Sequence, residues 1–305
     1  MKFVTFAKGG ARAVGLWLDG ADGQEARVLD LRLAAELAGE ALEAPDMISL
    51  IAAGEQALAA AKRLEADPPA DALYPAADVT LLAPIPRPAK NVFCVGRNYM
   101  EHVQEGDRMF GRDPSIPTVP NFFSKAPTAV VGPDAEVLYP SKVTQAFDYE
   151  IELGVIIGKA GKDIPAAKAL EHVFGYTIIN DVTARDLQRT HVQWFKGKTL
   201  DTTCPMGPWI VDAAAIGDPK ALELTFLLNG EQRQHASTAQ MIFDVPAIIE
   251  SLSAGLTLEP GDVIASGTPS GVGFGMEPKG LMKDGDVMEC RISKIGTLRN
   301  RVREV

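Results

Sequence analysis

Three carboxylates set the chemistry this chain can offer. Glu150 and Glu152 lie two apart in the run Phe147-Asp148-Tyr149-Glu150-Ile151-Glu152-Leu153, and in a strand that spacing puts both on one face. Asp181 ends a second strand-like run, Tyr176-Thr177-Ile178-Ile179-Asn180. Carboxylates delivered from two neighbouring strands make a hard, oxygen-only site suited to Mg²⁺, Mn²⁺ or Ca²⁺ rather than zinc. The competing reading is a solvated strand face, with Tyr149, Ile151 and Leu153 buried on the other side. A second pair stands at His102 and Glu105, three apart and so on one face of a helix. A carboxylate beside an imidazole fixes its tautomer and raises its basicity, as a general base requires. Alone, such a pair is more often a feature of an exposed helix.

Composition bounds the rest. The 305 residues are 46% apolar and 23% charged, ordinary for a globular protein with a buried core. A net charge of −10 with no basic block argues against a nucleic-acid partner. No run is long and apolar enough to span a bilayer, and Met1–Phe6 does not read as a signal peptide. Cys94, Cys204 and Cys290 are scattered and odd in number, giving neither a disulfide framework nor a zinc spacing. A reducing cytoplasm is the expected compartment.

The elements that must position these residues can be read in order. Two β-rich runs around Lys8-Gly9-Gly10 predict a hairpin over residues 1–18. Asp46 caps a predicted helix over Met47–Leu64. Six prolines in 67–88 mark a break, placing a domain boundary near 75–85. A strand over Asn91–Val95 leads into the helical turn with His102. The polar stretch 106–120 reads as a loop or lid, and Asn121–Lys125 as a strand. A short helix is expected from about Pro165 to Val173, and a rigid bend at Cys204–Trp209 leads into a strand at Ile210-Val211. Leu222–Leu228, Asn229-Gly230 and Glu231–His235 predict a hairpin, followed by a helix over Val245–Ala254. Gly197-Lys198-Thr199 is not a P-loop, because Val192 stands where that motif needs glycine. Lys198 reads as a candidate electrophile, or else as a solvated loop lysine. The glycines of Gly267-Thr268-Pro269-Ser270-Gly271-Val272-Gly273 lack dinucleotide-loop spacing and suit a close backbone approach to a ligand.

Five stretches, in matching order, resemble the fumarylacetoacetate hydrolase family: Gly96-Arg97-Asn98-Tyr99 with His102 and Glu105; Phe147 to Glu152; Asn180-Asp181 with Thr183-Ala184-Arg185-Asp186; Lys198 with Asp201 and Cys204-Pro205; and Ser266 to Gly273. The resemblance covers about residues 80–303. It implies a mostly β (α+β) protein, with a mixed β-sandwich roll over 81–305 and a small α+β N-terminal domain over 1–80. It also implies a homodimer and a divalent metal, Mg²⁺ or Mn²⁺, on Glu150, Glu152 and Asp181. His102 and Glu105 match the water-activating dyad of the hydrolytic members. Lys198 matches a lysine that stabilises developing negative charge, and Gln188 a glutamine beside it. Thr268 matches the threonine that contacts the substrate carboxylate, with Arg97 and Lys125 as substrate-facing residues. The implied substrate is a small 2-oxo acid passing through an enolate. Hydrolytic C–C cleavage of an acylpyruvate-like β-diketo acid is the first expectation, because the dyad is present. The alternatives are isomerisation or decarboxylation of 2-hydroxy-dienedioate or oxaloacetate-type acids in aromatic catabolism, and an inactive metal-binding scaffold.

Overall fold

The computed structural model describes residues 1–305 apart from 21–24, 110, 112 and 114. Two sheets carry the architecture. The larger has twelve strands; its main path runs Leu73–Pro75, Arg27–Asp30, Ala11–Leu18, Lys2–Lys8, Cys204–Asp212, Val173–Asn180, Ile151–Ile157, Val263–Ala265, Val92–Gly96 and Asn121–Lys125. The smaller has five, ordered Glu231–Ser237, Glu223–Leu228, Val287–Ile292, Gly296–Glu304 and Glu136–Tyr139. Leu153, Val155 and Ile157 point from the large sheet toward Leu224, Phe226, Met288 and Ile292 of the small one, forming the main core. Tyr149 closes its end, stacked on Phe226 at 4.1 Å between centroids.

The opposite face of the same strand is buried too. Ile156 and Ile179 join a second core built with the N-terminal helices, including Leu31, Leu50, Ile51 and Leu64. The strand Ile151–Ile157 is therefore covered on both sides, and the solvated-face reading of Glu150 and Glu152 is excluded. Its sequence, Ile-Glu-Leu-Gly-Val-Ile-Ile, is nearly continuous in apolar residues beyond Glu152, as a doubly covered strand requires.

Local chemistry accounts for the elements. Gly9 and Gly10 hold φ of +57° and +86° in the turn between Lys2–Lys8 and Ala11–Leu18. Asn229 and Gly230 hold +53° and +82°, the signature of a two-residue hairpin turn. Asp46 Oδ1 accepts the Ser49 N–H at 2.8 Å and caps a helix as expected. The expected single helix over 47–64 is two, Met47–Ala52 and Gly54–Ala66. Gly54 adopts φ +66°, which a right-handed helix cannot continue through. The expected helix after Pro165 is one turn, Ala166–Ala169, followed by a 3₁₀ turn Leu170–His172. The expected bend at 204–209 is part of a full strand, Cys204–Asp212. Of the stretch 106–120, the helix Met100–Met109 takes the first residues, residues 115–120 carry no helix or strand, and Phe110, Arg112 and Pro114 lie outside the described residues. No helix among the described residues is long and apolar enough to cross a membrane.

Candidate active site and metal centre

Strand register brings the three carboxylates together. Ile151 pairs with Asn180 and Glu152 with Ile179, so Glu150 lies across from Asp181. The Asp181 N–H donates to the Glu150 carbonyl at 2.8 Å, and the Glu150 N–H to Asn180 Oδ1 at 3.0 Å. One carboxylate oxygen from each of Glu150, Glu152 and Asp181 lies within 4.8 Å of the others, and all three residues are buried.

Three buried cations surround them. Lys198 Nζ bridges Glu150 Oε2 at 2.7 Å and Asp181 Oδ2 at 2.6 Å. Lys125 Nζ holds the other Asp181 oxygen at 2.7 Å and the Val182 carbonyl at 3.0 Å. Arg185 Nη1 reaches Glu150 Oε1 at 2.6 Å, and its Nε donates to Asp148 Oδ2 at 2.8 Å. Lys198 is thus no solvated loop lysine; the short helix Phe195–Lys198 delivers it 2% exposed.

The electrostatics are uneven. Burial opposes ionisation of Glu150, but Arg185 and Lys198, with a further contribution from His102, outweigh it and hold the carboxyl below its usual range. At Glu152 burial and the negative charges of Asp181 and Glu150 act together, and its carboxyl is pushed well above its usual range. No cation pairs directly with Glu152 among the described residues; its Oε2 accepts the Gly267 N–H at 2.8 Å. With Asp148 included, four buried carboxylates face three cations. This donor set fits a divalent cation: oxygen-only, convergent, and one positive charge short. Glu150, Glu152 and Asp181 are the residues that would hold it.

A small inner cavity of about 50 Å³ is lined by Glu150, Glu152, Lys198 and Thr268 among others. It shares Arg97, His102, Arg185, Gln188 and Trp194 with an outer chamber of about 440 Å³. The dyad helix Met100–Met109 roofs this junction. His102 Nδ1 lies 3.2 Å from Glu105 Oε2, and Glu105 Oε1 accepts the Gly271 N–H at 3.1 Å. Ser270 Oγ donates to Glu101 Oε2 at 3.1 Å, tying the same helix to the Gly-rich loop. Gly267 occupies φ +102°, and a Cβ there would lie 2.7 Å from that of Asn98.

The structure gathers most of the expected residues and separates two roles. Thr268 lines the inner cavity, its Oγ1 accepting from Gln234 Nε2 at 2.8 Å. Gln188 lines both cavities and accepts from Arg185 Nη1 at 3.3 Å. Arg97 also lines both, at φ +58°, with its guanidinium bidentate on buried Asp107 at 2.8 and 2.9 Å. Lys125, expected to face substrate, is fully buried behind Asp181, where it fixes a carboxylate and lines neither cavity.

Asp148 and Arg185 were missed. Asp148 is fully buried. Its Oδ1 accepts the N–H groups of Tyr149 at 3.0 Å and Gly273 at 2.8 Å; its Oδ2 accepts that of Phe274 at 3.0 Å, besides Arg185. It therefore ties the Gly-rich loop to the carboxylate cluster through Arg185. The usable signal was the spacing Asp148-x-Glu150-x-Glu152, a third acid at period two.

Residues 91–303 match the model of the fumarylacetoacetate (FAA) hydrolase C-terminal domain. The chain belongs to the fumarylacetoacetate hydrolase family. Its mostly β, α+β fold is that of the family, and it is an enzyme of it. The oxaloacetate tautomerase YisK of Bacillus subtilis (strain 168) is 44% identical over 309 residues, covering 99% of this chain and 100% of the relative. A fumarylacetoacetate hydrolase from psychrophilic Exiguobacterium antarcticum superposes with a TM-score of 0.82 at 40% identity, over the whole of both chains. A 2-hydroxyhepta-2,4-diene-1,7-dioate isomerase from Mycobacterium marinum gives 0.75 at 35% identity, covering 100% of this chain and 98% of the other.

Proposed function

We propose that this enzyme is a divalent-metal-dependent tautomerase of small 2-oxo dicarboxylic acids, with oxaloacetate as the type substrate. The observation that carries it is the likeness along both whole chains to an oxaloacetate tautomerase, supported by a site where three buried carboxylates, a His–Glu pair and a buried lysine converge. The sequence put C–C hydrolysis first; the relatives support the isomerase or decarboxylase alternative better.

A Mg²⁺-like ion on Glu150, Glu152 and Asp181 would supply Lewis-acid polarisation of the 2-oxo group. The chain's own residues account for the proton. With Nδ1–H directed at Glu105, His102 keeps Nε2 as the proton acceptor. It removes a proton from the carbon next to the keto group, and the electron pair forms the enolate double bond. Lys198, already bridging two carboxylates in the inner cavity, adds fixed positive charge where the oxygen becomes negative. Thr268 and Gln188 line the space beside it and offer hydrogen bonds to a carboxylate. Reprotonation on oxygen or carbon completes the keto–enol exchange.

The test follows enol-oxaloacetate by its ultraviolet absorbance, with and without Mg²⁺, in wild type and His102→Ala. Mg²⁺-dependent acceleration of the decay, lost by about a hundredfold or more in the variant, is the expected result. An uncatalysed decay rate in wild type would refute the reading. The positioned His102–Glu105 pair favours a second reading, hydrolysis of acylpyruvates. Loss of the diketo absorbance of an acylpyruvate, with no effect on oxaloacetate, would establish that one instead.

A further inference from the structure

The residue between the two glutamates of the cluster is held from outside its own sheet. The Ile151 N–H, flanked by Glu150 and Glu152, donates to Gln234 Oε1 at 3.1 Å. Gln234 stands on Glu231–Ser237, the edge strand of the small sheet, and is 1% exposed. In that strand Phe226 pairs with Gln234 and Leu227 with Gln232. Arg233 is therefore an extra residue, a β-bulge of the kind that re-aims a neighbouring side chain.

The neighbours of this amide leave it one orientation. Its Nε2 donates to Thr268 Oγ1 and to the Pro269 carbonyl, both at 2.8 Å. A backbone N–H on one side demands the amide oxygen, and a carbonyl on the other demands the NH₂. A flipped amide would set oxygen against the Pro269 carbonyl and NH₂ against the Ile151 N–H, two unmatched contacts in a buried place. The amide in turn decides the threonine. A hydroxyl has one hydrogen, and Thr268 cannot direct it at a group that is itself donating. Among the described residues no acceptor takes that hydrogen, and Thr268 lines the inner cavity with Glu150, Glu152 and Lys198.

We propose that Gln234 is a positioning residue that makes Thr268 a dedicated hydrogen-bond donor to the substrate carboxylate. Control runs from a backbone N–H between two cluster glutamates, through one side-chain amide, to one hydroxyl hydrogen. Only a primary amide serves here, because the place needs one acceptor and two donors. A glutamate offers at most one hydrogen to two acceptors, even when protonated. The inference rests on the 2-oxo acid reading above and adds the residue that sets the polarity of its carboxylate contact.

Calorimetry with oxalate in saturating Mg²⁺ tests it, oxalate being an unreactive dicarboxylate with the outline of a 2-oxo acid enolate. A fall in folded fraction changes the stoichiometry and not Kd. Gln234→Met and Thr268→Val should each weaken oxalate about tenfold, the loss of one hydrogen bond to a charged acceptor. In the double variant, Gln234→Met should add less than about twofold, because no hydroxyl is left to aim. Gln234→Glu returns an acceptor to the Ile151 N–H but not the two donors. It should recover the thermal midpoint lost in Gln234→Met while binding oxalate no better, and it takes that variant's place in the cycle should Gln234→Met not fold. Wild-type affinity in any single variant overturns the assignment. So do single effects that multiply in the double variant, since Gln234 would then act through the strand of Glu150 and Glu152. Failure of the wild type to bind oxalate overturns the assignment together with the 2-oxo acid reading. The expected coupling in a protein without tautomerase activity upholds the assignment and overturns only the proposed reaction.

Discussion

Asp148→Asn is the sharpest test of how the site is held together. The substitution is isosteric, so its cost comes from hydrogen bonds and charge alone. Each carboxylate oxygen of Asp148 accepts two donors: Tyr149 and Gly273 N–H on one, Phe274 N–H and Arg185 Nε on the other. An asparagine must turn its NH₂ toward one of these pairs, whichever way the amide is oriented. Two buried donors then face a donor, and Arg185 retains Glu150 as its remaining carboxylate. Removing one partner of a buried, hydrogen-bonded charge pair costs about 3–5 kcal/mol, and two lost bonds to a charged acceptor at about 1.5–3 kcal/mol each give about 3–6 kcal/mol. Urea unfolding followed by tryptophan fluorescence should show a lower midpoint at unchanged slope. Because the loop 271–275 also receives Glu105, kcat/KM should fall with it. A stability loss under about 1 kcal/mol would refute the reasoning, since it would mean that the Asp148 hub contributes no more than an exposed ion pair.

Other perturbations address separate parts. A Cβ on Gly275 would lie 2.4 Å from Glu105 Oε1, so Gly275→Ala should displace the dyad and lower kcat by about 10- to 100-fold with little change in thermal midpoint; steady-state kinetics beside a melting curve checks both. Glu152 sits above its usual range through burial and its acidic neighbours, so a proton competes for it when pH falls. Mg²⁺ or Mn²⁺ affinity should rise with pH above the ordinary carboxylate range with proton release, and Glu152→Gln should weaken binding and flatten that dependence; calorimetry in buffers of different ionisation heat reads both. Burial opposes ionisation of Asp186, but Thr144 Oγ1 and the N–H groups of Gln145 and Leu187 outweigh it and hold its carboxyl below the usual value. Its stabilisation is therefore present above the unfolded-state pKa and lost as pH falls through the lower folded one. Asp186→Asn should cost about 1–3 kcal/mol at pH 7, and the difference from wild type should begin to shrink below about pH 4 and close only below the lowered folded-state pKa; urea midpoints against pH would show it.

Short-range periodicity made part of this site legible and tertiary packing hid the rest. Period two placed Glu150 and Glu152 on one face, and helical spacing placed His102 beside Glu105, because both relations are settled within a few residues. Lys125 was misplaced in role because its partner Asp181 is 56 residues away and meets it only after the strands assemble. Arg185 and Asp148, 37 apart, escaped for the same reason, although both stood inside stretches already singled out. The break at Gly54 was missed because one glycine in an Ala-rich helical pattern costs only about 1 kcal/mol, too little to forecast a positive φ. The burial of both faces of Ile151–Ile157 was written in its apolar run, but alternation around Glu150 and Glu152 drew the reading toward a half-exposed strand.

The first strand of the chain has a consequence beyond its own module. Lys2–Lys8 pairs with Cys204–Asp212 through Lys2 with Val211 and Phe3 with Ile210, and Cys204–Asp212 is the neighbour of the strand that ends next to Asp181. The N-terminal segment thus acts as a seal on the catalytic sheet. Without it, the backbone donors and acceptors at Ile210 and Val211 would form a bare edge two strands from the one that carries Glu152, a template for pairing with other chains, although Val130–Val131 still pairs with the Cys204-Pro205 end. For an enzyme whose carboxylate cluster depends on strand register, a stray partner at that edge threatens solubility and the cluster together.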